Sequence, residues 1–138
     1  MADQGNNRIL GFEGDVTGDP EADYIIGQID LRHGTENLVD AWGLSSPRDV
    51  AVDRSVQPNR LYICDSYNNR ILGYASTEAL SSRSECTIVI GQPDSWSNNP
   101  GGGRASLSAP TSLAVDSDGN LFVADRDNSR VLWFERPF

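Results

Sequence analysis

The stretch "DSYNNRILGY", residues 65–74, decides the fold, because the chain writes it three times. It opens polar and turn-like and closes on apolar residues. "DQGNNRILGF" at 3–12 and "DRDNSRVLWF" at 125–134 have the same frame. Aligned, they set Arg8, Arg70 and Arg130 in register, at steps of 62 and 60 residues. Three more blocks keep a similar step. "YIIGQ" at 24–28 returns as "IVIGQ" at 88–92, "LSSPRDVAVD" at 44–53 as "LSAPTSLAVD" at 107–116, and "NRLYICD" at 59–65 as "GNLFVAD" at 119–125. Blocks that recur in one order at one period are the mark of a repeat architecture.

Each block reads as a β-strand. Val50 and Val52, Leu113 and Val115, Leu61 and Ile63, and Leu121 and Val123 fall on one side of their segments, the alternation of a sheet. "RILGY" and "RVLWF" form a third strand, and "TIVIG" a more continuously apolar fourth. No segment carries a helical stripe, and "STEALSSRS" at 76–84 is read as a loop. "DSDGN" at 116–120 has the Asp-Gly step of a tight hairpin. Four antiparallel strands in a meander make a small sheet with two faces, and it cannot bury both alone. Radial stacking of such sheets, a β-propeller, solves this.

The repeated turn then has a structural role. Asp3, Asp65 and Asp125 are expected to accept backbone N–H bonds two residues on. Asn6, Asn7, Asn68, Asn69 and Asn128 suit tight or left-handed positions. Arg8, Arg70 and Arg130 are placed to reach back to the Asp or across to the neighbouring sheet. A residue needed identically in every repeat is better explained by the repeat than by a ligand.

Composition narrows the partners. Asp and Glu total 20 against 11 Lys and Arg, a net charge of −9. Such a surface repels phosphate, so nucleic acid and anionic membranes are poor partners. No apolar run has membrane-spanning length. The start, "MADQGNNRIL", lacks the regions of a secretion signal and reads as the beginning of an excised piece; a secreted or periplasmic parent would carry its signal elsewhere. Cys64 and Cys86 resemble neither a metal site nor a redox pair, and both a disulfide and two buried or half-buried thiols stay open.

Catalytic chemistry finds little footing. His33, the single histidine, lies in a long loop outside the repeated frame and reads as solvent-facing. "DSDGN" offers oxygens, but a strand follows where a calcium loop needs more ligands. "NPGGGRAS" at 99–106 lacks the Lys and helix of a phosphate loop and reads as a flexible turn. No metal or cofactor is expected. The long loops, 28–46 and 92–109, hold Trp42 and Trp96 with Asp30, Glu36, Asp40 and Asp94. Together with His33 these tryptophans mark candidate binding loops for a protein or carbohydrate ligand, against the plainer reading that each Trp covers its own sheet. Trp133, on a third strand, reads as packing.

"LSSPRDVAVDRSVQPNRLYICDSYNNRILGY" and "LSAPTSLAVDSDGNLFVADRDNSRVLWF" resemble NHL repeats, and "IGQPD" resembles the long-repeat bacterial variety. The resemblance implies an all-β propeller, typically of about six blades, which at this repeat length needs roughly 360 residues. The chain would hold the end of one blade (1–28), a complete blade (47–92) and three strands of the next (110–134). Three explanations of this shortage stay open: an excised fragment, a truncated product, or a unit that assembles with copies of itself. In the last case three two-blade units would close a six-blade ring as a homotrimer, although 1–12 and 126–134 then fill one position twice. The expected function is a non-catalytic scaffold or interaction module. The alternative is a portion of a lyase- or lactonase-like propeller enzyme whose active site forms with other blades or on oligomerisation.

Overall fold

In the computed structural model, residues 1–138 are described except 15, 16, 19, 37 and 79. The protein is all-β. Ten strands form three antiparallel sheets, and no α-helix occurs among the described residues.

Blade II is the complete sheet: β4 (Pro47–Asp53), β5 (Arg60–Asp65), β6 (Arg70–Tyr74) and β7 (Ile88–Ile90), hydrogen-bonded in that order. Blade III repeats its first three strands as β8 (Pro110–Val115), β9 (Leu121–Asp125) and β10 (Arg130–Phe134). Blade I has β1 (Ala2–Asp3), β2 (Arg8–Gly11) and β3 (Tyr24–Ile26). β1 is a two-residue remnant of a second strand that the sequence pattern did not single out. Its pairing identifies it: Asp3 sits opposite Arg8 as Asp65 sits opposite Arg70 and Asp125 opposite Arg130. The register also slips at one equivalent place in blades II and III, after Pro47 and after Pro110.

Alternation along the strands builds two cores. Leu61, Ile63, Leu72 and Tyr74 of blade II pack against Ile9 and Ile26 of blade I, with Leu44. The opposite face, Tyr62, Cys64 and Ile71, packs against Leu107, Leu121 and Val123 of blade III. Each buried aliphatic of this kind contributes roughly 1.5–3 kcal/mol. Blade II is thus covered on both sides, whereas blades I and III are each covered on one. Cys64 and Cys86 are both free and pack against the two different cores, so the disulfide reading is set aside.

The hairpin expected at 116–120 is present. Gly119 takes φ +83°, and Asp116 Oδ1 accepts from the N–H groups of Asp118 and Asn120 at 3.0 and 2.9 Å. The described residues of 76–84 form loop and turn without a helix.

Candidate functional site

The three repeated turns lie at one end of the sheets, beside the long loops. Each runs from its Asp into a single 3-10 turn, Gln4–Asn6, Ser66–Asn68 or Arg126–Asn128, and leaves through a left-handed residue. That residue is Asn7, Asn69 or Ser129, with φ of 51–52°. Asn visits this region more readily than other side-chain-bearing residues.

The Asp does a different job from the one expected, because in blades II and III the N–H two residues on, that of Tyr67 or Asp127, donates instead to the carbonyl of Ser45 or Ser108. Asp65 Oδ2 accepts from Arg70 Nε at 2.7 Å and Asn68 Nδ2 at 2.9 Å, and Oδ1 accepts from the Ser45 N–H at 2.7 Å. Asp125 repeats this with Arg130, Asn128 and the Ser108 N–H. The carboxylate therefore ties turn, third strand and incoming loop together. Asp3 bonds Arg8 and Asn6 in the same way. Burial pushes the Asp65 carboxyl up, opposed by Arg70, the Ser45 N–H and Asn68. Asp3 is also raised by its burial, but the bonds from Asn6 and Arg8 outweigh that and hold it below the ordinary carboxylate value.

The arginines then bind loop carbonyls. Arg70 donates to Ser95 O at 2.5 Å and Gly43 O at 2.9 Å. Arg8 donates to Leu31 O, and Arg130 to the carbonyls of Gly102, Gly103 and Ser106. The glycine stretch read as a flexible turn is thus clamped, also by Asn128 on Gly101 O. The "IGQ" blocks serve the same loops. Gln28 Nε2 donates to the carbonyls of Asn7 and Thr35, and Gln92 Nε2 to those of Asn69 and Asn99. The recurrence of these glutamines after a strand, in "YIIGQ" and "IVIGQ", is the sequence signal of this shared role.

Polar side chains fasten blade to blade. Asn7 Oδ1 accepts from the Ser46 N–H at 2.7 Å, and Asn69 Oδ1 from the Ala109 N–H at 2.8 Å. Asp49 Oδ2 accepts from the Leu113 N–H and the Ser112 hydroxyl. Blade III has Ser129 and Ser112 where blade II has Asn69 and Asp49.

The candidate ligand residues lie apart from the buried pairs. Trp96 is 72% exposed on its loop. Trp42 is half-buried with the Arg83 guanidinium 5.8 Å from its ring centroid, which favours the covering role. His33 is exposed, with Nδ1 2.8 Å from Asp30 Oδ1. Trp133, read as packing, is instead 59% exposed. Its strand alternates, and position 133 faces the side of blade III that no sheet covers. No group of three or more His, Cys, Asp or Glu stands together as metal ligands among the described residues.

Between the turns of blades II and III lies a groove of about 490 Å³, lined by Glu36, Ser66, Tyr67, Asn98, Ala109 and Asp127 among others. A cavity of about 690 Å³ opens beside blade I, with Tyr24, Ile25, Leu31 and Leu80 in its walls.

Residues 107–134 match the family model of the NHL repeat. The match spans the three strands of blade III with their Asp125–Arg130 turn. No curated protein matches the chain. The segment 107–134 is therefore similar to an NHL repeat, and three antiparallel sheets stacked face to face have the arrangement of neighbouring β-propeller blades.

Proposed function

We propose that the chain is a non-catalytic interaction module of a propeller, and that it binds through its open end sheets, first of all to a second copy of itself. One observation carries this reading: the uncovered face of blade III is the equivalent of a face that is covered in blade II. Phe122, Ala124 and Val131 occupy the positions of Tyr62, Cys64 and Ile71. The latter three are buried under blade III, whereas Phe122 and Val131 are 36% and 67% exposed. An apolar sheet face of this kind marks an interaction surface.

Blade I offers a matching surface. Leu10 and Phe12 align with Leu72 and Tyr74, which cover the trailing face of blade I, and with Leu132 and Phe134, which cover that of blade II. A head-to-tail contact between copies therefore repeats chemistry already present within the chain. Three sheets per chain make two copies, rather than three, the count that sums to a ring of about six blades. Ser112 and Ser129 supply neither of the polar fasteners found between blades II and III, so apolar contact carries the association and makes it concentration-dependent. The ionisable groups of the repeated turns are engaged with one another, which supports a scaffold over a catalytic role.

Light scattering over a range of concentrations tests the reading. The mass is expected to rise toward two chains, and Trp133→Glu, a change at an exposed position, to hold it at one. A wild-type mass of one chain throughout would overturn self-association.

A further inference from the structure

The seams between blades are built alike, so the place where one departs from the pattern is informative. At the seam of blades I and II, Gln4 Nε2 donates to Ser46 Oγ at 2.8 Å and bridges the gap. At the seam of II and III the equivalents are Ser66 and Ala109. Both partners of the bridge have become smaller at once. The result is the groove of about 490 Å³, within the range of small-molecule sites. Tyr67, 57% exposed, stands where the first turn has Gly5, so an aromatic ring has been added as the bridge was removed.

The polar groups at the groove point to a ligand class. Ser66 lines it, and its hydroxyl is buried without a hydrogen-bond partner, a costly state for a scaffold residue. The side chains of Tyr67 and Asn98 supply further donors and acceptors. The one cation among the described lining residues is already paired, because Arg126 Nε donates to Asp127 Oδ1 at 2.8 Å, and Glu36, which accepts from the Ser45 hydroxyl, adds a negative charge. The walls thus offer neither a cationic cluster for a phosphate nor an extended apolar surface. Mixed donors and acceptors beside one exposed ring suit a ligand whose groups both donate and accept and whose C–H face can stack.

We infer that this groove is a binding site for a neutral, polyhydroxylated ligand of saccharide size. The hydroxyls would meet Asn98 and Asp127, and a ring face would lie on Tyr67, with the unpaired Ser66 hydroxyl in the wall behind them. The site is independent of association through the end sheets, and failure of either leaves the other standing.

The probes are maltotriose, cellotriose and chitotriose, titrated into the isotopically labelled chain and followed by amide NMR. At least one is expected to give saturating shifts confined to residues near 66–69, 98 and 126–127. Ser66→Gln combined with Ala109→Ser rebuilds the bridge of the first seam inside the groove and should weaken binding by about tenfold or more, a loss of about 1.4 kcal/mol. Tyr67→Ala, at an exposed position, should do the same with the fold intact. Absence of saturating shifts with all three sugars overturns the inference. So does binding that survives Tyr67→Ala, or shifts that map to the cavity beside blade I.

Discussion

Asp65 and Arg70 form an ion pair at 2.7 Å with both side chains fully buried, while its equivalents, Asp3–Arg8 and Asp125–Arg130, keep some exposure. Only the pair in blade II has a sheet on either side. Removing one partner of a buried pair leaves the other charged group without compensation, at a cost of about 3–5 kcal/mol. Arg70→Met is therefore expected to lower the urea midpoint severely or abolish folding. Arg8→Met, at the partly exposed pair, should cost about 1 kcal/mol, as for a surface pair. Equal losses from the two variants, measured by urea denaturation, would contradict this assignment.

Gly91 tests the "IGQ" corner. It takes φ +95°, and a Cβ there would lie 2.6 Å from Leu107 Cδ1 and 3.0 Å from Asn69 O. Leu107 is fully buried in the core between blades II and III and has little room to move. Gly91→Ala should destabilise by about 2 kcal/mol or more, combining backbone strain with overpacking. Gly5→Ala is the control, because a Cβ there meets nothing within 4 Å. Thermal unfolding should separate the two variants by several degrees.

Tyr62 carries the pH dependence. Its hydroxyl is buried without a hydrogen-bond partner, and burial, reinforced by Asp53 and opposed by Arg60, pushes its pKa up to about 12. The folded value lies above the unfolded value of about 10, so the stability from keeping the phenol neutral is fully present below pH ~10 and is lost as pH rises through about 12. Tyr62→Phe is expected to reduce this alkaline loss and to raise stability at neutral pH by about 1 kcal/mol, since Phe removes an unsatisfied hydroxyl. Phe122 already occupies the equivalent position in blade III. Burial also raises Tyr74, so part of the alkaline loss should remain. Phenolate absorbance against pH, alongside denaturation at each pH, checks both effects.

The thiols should differ sharply. Cys64 is buried, and burial first, then Asp49 and Asp65, raises its pKa. Cys86 is only partly buried, and desolvation raises it too. The thiolate is the reactive form. A thiol reagent at pH 8 is expected to label Cys86 slowly and to reach Cys64 only after unfolding. Prompt labelling of Cys64 in the folded chain would show that blade III does not stay on blade II.

Much of the fold was legible in the chain because strands and turns are local. Leu61 and Ile63 alternate with Tyr62 and Cys64, and that period alone assigns them to opposite faces. The recurring Asp, Asn and Arg likewise announce a turn that every sheet needs. Of the partners of Asp65, Arg70 was legible from the repeated turn and the Ser45 N–H was not. The N–H of Ser45 reaches its carboxylate across 20 residues, and no local pattern records such a closure. Trp133 was misread for the same reason. Its strand could be recognised from sequence, but its exposure depends on whether a further sheet lies against it.

By itself, the sequence determined a repeated all-β unit and the positions that alternate between its faces, since backbone geometry fixes these within a few residues. The tertiary structure decided which faces are covered, and that Ser66 and Ala109 open a groove where Gln4 and Ser46 close one. Those outcomes depend on side chains about forty residues apart meeting across a seam, and volume at a seam is set only when both blades are in place.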